Sequence, residues 1–352
     1  MNRIRLIRRA TSPLCCIIGH FAHMAKHLLH IGFLLAIASL ALKAMFMPSR
    51  MRVALRPGES AALQDGVLAL KRFSVPKYPD GKPRQYVSDV HMLAMGKADD
   101  AGSGRPRAEH ASISVNHPLR WNGWWIYQNS YDSAHESYTV LEAVRDPFLP
   151  LAALAGLLLL LGAAMCVVSP AGGSRASREH CVKDRVPNGL DERSAESSWM
   201  RFATVCKFAA ATAVVMLPLW IIGKAVLAKE LVPALQSPLL VPHVGAYLVS
   251  YAILIFAAFG IGVRLVPFGF FMMTLALVLG AVWGKLCWGD WWQYDPKEMW
   301  SLATWLTFSA YLHFRHNVRV AQWLLRFGAL MIILTLTWVN FSRIFKGLHS
   351  YV

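Results

Sequence analysis

The stretch Trp288-Gly-Asp-Trp-Trp-Gln-Tyr-Asp-Pro-Lys-Glu-Met-Trp300 packs four tryptophans into thirteen residues between two apolar runs, near 268 to 286 and 300 to 313. Apolar runs of this kind read as helices entering a bilayer, which makes the stretch an aromatic plate with charged edges at a membrane surface. Interfacial belts also collect tryptophan, but they spread it over several helix ends. Here Trp288, Trp291, Trp292 and Trp300, with Trp283 and Trp305 close by, crowd one loop and its flanks. That density reads as a stacking platform for a flat, greasy, partly anionic ligand. Asp290, Asp295, Lys297 and Glu298 supply charge for its polar edge, and haem is the ligand of that description.

The same stretch carries a local instruction. Asp295 as N-cap, Pro296 at the first helical position and Glu298 three residues after the cap form a capping box, so a helix is predicted to start at Pro296. Capping needs no ligand and is compatible with one.

Working outward, the chain is 55% hydrophobic and 16% charged, with a mean hydropathy of +0.39. It reads as a mainly α, polytopic membrane protein. The net charge of +16 sits largely beside apolar runs, where Lys and Arg set orientation, and this excludes a nucleic-acid partner. Cys15, Cys16, Cys166, Cys181, Cys206 and Cys287 form no C-x-x-C pair, no C-x-x-C-H haem-attachment site and no zinc spacing. The chain is therefore neither a c-type cytochrome nor a dithiol oxidoreductase.

Seven runs have roughly the 17 to 25 residues needed to cross a bilayer, near 28 to 46, 147 to 168, 203 to 226, 244 to 263, 268 to 286, 300 to 313 and 320 to 340. The sixth is short and polar for a span. Arg3, Arg5, Arg8, Arg9 and Lys26 place the N-terminus in the cytoplasm, and the first run is read as a retained span rather than a cleaved leader. Threading from there puts 47 to 146 outside and the basic linker 169 to 202 inside, with Arg264, Arg315 and Arg319 inside. Arg343 and Lys346 land outside, against the charge rule. The threading brings His243, the tryptophan segment and His349 to one outer face.

Residues 47 to 146 differ in texture. Val67 to Phe73, Tyr86 to Met95, Ser112 to Asn116, Trp124 to Ser130 and Tyr138 to Val144 are rich in β-branched and aromatic residues with partial alternation, which predicts a small extracytoplasmic β domain. Lys97 to His110 reads as an exposed loop, and Ser169 to Ser198 as a poorly ordered linker.

Haem iron takes axial ligands, and neutral imidazole is a common one. His243 and His349 are the outer candidates. A helix from Pro296 to His313 is about 27 Å long at 1.5 Å per residue, which sets His313 near the inner side, where His30 also lies. Ionisable groups within spans are functional suspects, although His27 competes with His30, and His313 could merely cap a basic inner boundary with Arg315.

Trp288 to Trp300 closely resembles the tryptophan-rich "WWD" signature of haem-handling proteins in cytochrome c maturation. Tyr311-Leu312-His313-Phe314-Arg315 and Gly347-Leu348-His349-Ser350-Tyr351 resemble its CcsA branch. The likeness covers about 200 to 352; Tyr294 stands where the family usually has tryptophan and Met299 where threonine is common. Upstream, Tyr78-Pro79-Asp80-Gly81 and the run Asn116 to Gln128 resemble ResB, also called CcsB, in shortened form.

The resemblance is to a compact ResB–CcsA fusion of System II. It implies five parts: a basic N-terminus with the first span (1 to 46), a ResB-like β domain (47 to 146), a second span (147 to 168), a cytoplasmic linker (169 to 202) and a CcsA-like membrane domain (203 to 352) with its WWD segment at 283 to 300. It implies a bacterial inner-membrane protein that carries haem b outward and joins it to the C-x-x-C-H motif of apocytochrome c, with thioredoxin-like proteins as thiol-reducing partners. The implied haem-contacting residues are Trp288, Gly289, Trp291, Trp292, Asp295 and Trp300. The implied iron ligands are His243 and His349 outside, and His313 with His30 inside. A haem exporter without ligase activity, or a scaffold anchored by its tryptophans, is the alternative.

Overall fold

The computed structural model describes residues 13 to 94, 108 to 168 and 230 to 341. The expected third span, the 169 to 202 linker, the basic N-terminal arginines, most of the 97 to 110 loop and His349 lie outside the described residues.

Six α-helices and eight strands are described: α1 (Pro13–Phe46), β1 (Ser49–Leu55), β2 (Ser60–Leu63), β3 (Gly66–Ser74), β4 (Val87–Ala94), β5 (Ala108–Ser114), β6 (Leu119–Trp121), β7 (Trp124–Tyr131), β8 (Thr139–Arg145), α2 (Leu149–Val168), α3 (Leu240–Ala258), α4 (Val266–Trp288), α5 (Pro296–Phe314) and α6 (Val318–Phe341). Among the described residues, five helical segments are long and apolar enough to cross a membrane: His23–Phe46, Leu149–Val168, Leu240–Ala258, Val263–Trp288 and Val318–Thr337. The protein is a multi-pass membrane protein with a small β region.

The expected sixth span, α5, does form a helix of 19 residues, yet it is not among those five. The reason lies in its packing. Ser301, Thr304, Trp305, Thr307, Phe308 and Tyr311 are buried against other helices, and Trp305 donates its indole N–H to Thr274 Oγ1 on α4 at 3.0 Å. Hydroxyls on a face covered by other helices are tolerated where lipid-facing ones are not, while Met299, Leu306 and Phe314 leave the other side of α5 exposed. α1 and α2 approach closely through small residues: a Cβ on Gly162 would lie 2.8 Å from Leu29 Cγ and 2.9 Å from its backbone nitrogen. α3 ends at Ala258, earlier than the hydropathy suggested, because Gly260 and Gly262 turn the chain at positive φ (81° and 65°) into α4.

The β region is two four-stranded antiparallel sheets, ordered β1-β8-β7-β6 and β2-β3-β4-β5. Alternation builds the core between them: β3 buries Gly66, Leu68 and Leu70, β4 buries Val90 and Met92, and Ile113, Ile126 and Leu141 come from β5, β7 and β8. Truncating such a side chain costs about 2–5 kcal/mol. Gln128 bridges the sheets, accepting from Ser88 Oγ at 2.7 Å and donating to Thr139 Oγ1 at 2.7 Å. The sequence pattern missed β1, β2 and the three-residue β6, which are short or exposed on alternate positions.

The sandwich sits on one end of the helix bundle. Asn116, at φ 69°, donates to the carbonyls of Pro233 and Ala234 at 3.0 and 3.2 Å and accepts from Trp283 Nε1 on α4 at 3.2 Å. Val115, Trp283 and Cys287 bury a shared apolar contact beneath it. That end also holds the start of α3, the end of α4 and the start of α5. His30, Arg264 and Arg315 lie toward the other end.

Candidate functional site

His243 lies in the first turn of α3, and its Nδ1 is 2.9 Å from the carbonyl oxygen of Ala276 on α4. A carbonyl only accepts, so Nδ1 carries the proton and the ring's lone pair is on Nε2, the tautomer of a metal-ligating imidazole oriented by a carbonyl behind it. Gly280, one turn along α4, makes the room: a Cβ there would sit 2.6 Å from His243 Cε1. Tyr247 and Trp283 stand edge-on to the ring, with centroids at 5.2 and 5.8 Å.

A cavity of about 310 Å³ opens beside this imidazole, with Trp288, Trp291, Trp292, Lys297 and Glu298 in its wall. Three of the expected platform tryptophans and His243 are thus brought together. The Trp291 indole nitrogen is buried with no hydrogen-bond partner among the described residues, while its ring forms part of the cavity wall.

The remaining expected platform residues have other places. Gly289 closes α4 at φ 86° beneath Tyr127 of β7, whose ring carbons lie 3.1–3.5 Å from a notional Cβ. Asp295 caps α5: its Oδ1 accepts from Lys297 N at 2.9 Å, while Glu298 Oε2 accepts from Asp295 N at 3.3 Å and Gln293 N at 2.8 Å. The predicted capping box is present. Trp300 is outside the cavity wall. Of the four charged residues expected at the ligand's edge, Lys297 and Glu298 reach the wall; Asp290 and Asp295 do not. Tyr294, at φ 58°, projects into solvent. The second outer ligand, His349, lies outside the described residues.

The inner candidates also meet. His30 Nε2 and His313 Nε2 are 3.1 Å apart, beside a space of about 50 Å³ bounded by Lys26, Cys166 and Arg315 among others. His313 Nδ1 donates to the Ser309 carbonyl at 2.8 Å, so its Nε2 accepts from His30. His27 instead pairs with His23 at 2.9 Å, which separates it from His30 as the residue facing α5.

Sequence reasoning missed Gly280 and Asn116, whose roles depend on partners across the fold. It also missed Lys285, a buried cation whose Nζ donates to the Gly289 carbonyl at 2.9 Å under the rings of Trp125 and Tyr127, 5.7 and 5.9 Å away. A lysine inside an apolar run was the one available signal.

Fold and site together define a multi-pass membrane protein with a β-sandwich seated over an aromatic, histidine-lined cavity. Residues 260–349 match the cytochrome c assembly protein family and residues 14–137 the ResB-like family, in the order of a ResB–CcsA fusion. The chain is similar to the cytochrome c biogenesis protein CcsA of Prochlorococcus marinus (strain MIT 9312), at 34% identity over 36% of this chain and 57% of that protein. It is also similar to CcsA of Guillardia theta, at 41% identity over 25% of this chain and 30% of that protein. The chain thus spans little more than half the length of the first of these relatives.

Proposed function

We propose that the chain acts in cytochrome c maturation, holding haem b in the outer cavity and attaching it to the C-x-x-C-H motif of apocytochrome c. The observation that carries this reading is the His243 ring, fixed in its ligating tautomer by the Ala276 carbonyl and set beside tryptophans at the cavity wall. His243 is one axial ligand and His349 the other; the tryptophans stack on the macrocycle, and Lys297 faces its carboxylates. The family likeness supports haem as the cargo. The outer face of a bacterial inner membrane is the setting that the charge pattern supports.

The motif histidine of apocytochrome replaces one axial imidazole, bringing its two cysteines to the vinyl groups. Each S–H adds across a C=C bond, sulfur to the carbon next to the ring and hydrogen to the terminal carbon, so no oxidant is needed. The protein's contribution is positioning, since holding thiol and vinyl together removes much of the entropic barrier. His30 and His313 hold haem on its way from the inner face, and thioredoxin-like proteins keep the cysteines reduced.

His243→Gly is expected to lose haem absorbance and cytochrome yield, and free imidazole to restore both; no restoration argues against axial ligation. Covalent product from the purified chain, haem and an apocytochrome peptide supports the synthase. Haem transfer without thioether formation supports an exporter that serves a separate ligase.

A further inference from the structure

Asp290 sits inside the tryptophan loop yet faces away from the cavity. Its carboxylate pairs with Lys43 near the end of α1 and accepts from Arg50 Nη2 of β1 at 2.6 Å. Lys43 and Arg50 flank the two-residue junction Met47-Pro48 between the first helix and the sandwich. Both cations have second partners. Arg50 Nη1 donates to Glu142 Oε1 at 3.1 Å, and Glu142, 2% exposed, also accepts from Arg52 at 3.0 Å and Asn129 at 2.9 Å. Lys43 Nζ is 3.8 Å from Asp146, itself 3% exposed.

Lys43, Arg50 and Arg52, with the buried Lys285 close by, thus face Asp290, Glu142 and Asp146, a set that joins α1, β1 and the β8–α2 junction to a loop 240 residues away from Arg50 in sequence. Removing a carboxylate from a half-buried set that already holds one more cation than anions leaves a further uncompensated positive charge. Trp291 and Trp292 follow Asp290 directly, so the direction of the Asp290 side chain constrains where the next two side chains point. Burial pushes the Asp290 carboxyl up, but the hydrogen bonds and charges of Lys43 and Arg50 outweigh it and hold the group below the usual carboxylate value; it is ionised at neutral pH.

We propose that Asp290 is a positioning residue: an ionic latch to Lys43 and Arg50 seats the tryptophan loop against the N-terminal sandwich, and retention of the porphyrin beside His243 depends on it. This rests on the cavity being the haem site. The division of labour that follows is that the ResB-like part holds the haem platform of the CcsA-like part in shape.

The test is a cycle in the full chain: Asp290→Asn, Lys43→Gln with Arg50→Gln, and all three together. Haem retained through gel filtration and hydrogen exchange of the 289 to 295 amides are read in each. Asp290→Asn is expected to lower haem retention about tenfold and raise exchange in the loop, with Asp290→Glu recovering part of both. In the background lacking both cations, Asp290→Asn is expected to add nothing. Additive effects, or loop protection unchanged in Asp290→Asn, overturn the latch. Should the unaltered chain bind no haem, the cavity reading fails, and loop exchange alone still decides the latch.

Discussion

The two histidine sites share a ligand type and differ in how they are built. At the outer site the His243 proton is committed to a helix carbonyl, and the ring lines a cavity of about 310 Å³ walled by tryptophan. At the inner site His30 and His313 spend their Nε2 atoms on each other beside about 50 Å³ of space. Under the proposed function, the first is preorganised for a flat ligand, and the second would have to part its imidazoles before either met iron. Preorganisation favours retention and a self-paired site favours release, which suits a path from the inner to the outer face.

The largest blow to that contrast is expected from Gly280→Val. A Cβ there already sits 2.6 Å from His243 Cε1, so the ring has to leave its place; haem retention at the outer site should fall well over tenfold, or more than ~1.4 kcal/mol, with any His30- and His313-dependent haem signal unchanged. Next, His30→Ala and His313→Ala should each cut haem delivery to the outer site several-fold, while His27→Ala should not; radiolabelled haem in inverted vesicles distinguishes them, and equal effects from all three would erase the inner pair. Smaller still, Trp291→Phe removes a buried donor that has no protein partner among the described residues. The smaller ring also stacks over less area, so haem retention should weaken by about 1 kcal/mol without a lower melting temperature; a lowered melting temperature would mean the indole serves the fold.

The smallest expected effect is that of pH on the seat between loop and sandwich. The Asp290 carboxyl is held below its ordinary value, so its contribution is complete above the unfolded-state pKa of about 3.9 and is lost only as pH falls through the lower folded value. Loop exchange, corrected for intrinsic rates, should therefore stay flat from about pH 7 to 5. A rise within that range would place another titrating group at the contact.

Much of this was legible in the chain. The Asp295 box reads directly because a cap is satisfied within four residues, and the sandwich strands β3, β4 and β7 announce themselves by alternation. The polar α5 looked insecure as a span because hydropathy counts residues without knowing which face a neighbouring helix covers. His30 and His27 are one helical turn apart; only the placement of α5 shows which of them meets His313.

The sequence by itself determined that the protein crosses a membrane several times, carries a small β unit and crowds tryptophan at one loop, since span length, strand alternation and composition are local properties of the chain. Tertiary structure alone decided that Asp290 turns to Lys43 and Arg50, that Gly280 admits the His243 ring, and that Asn116 ties the sandwich to Trp283. Each of those depends on a partner far along the chain, and the direction of a side chain is fixed by what packs against it rather than by its neighbours in sequence.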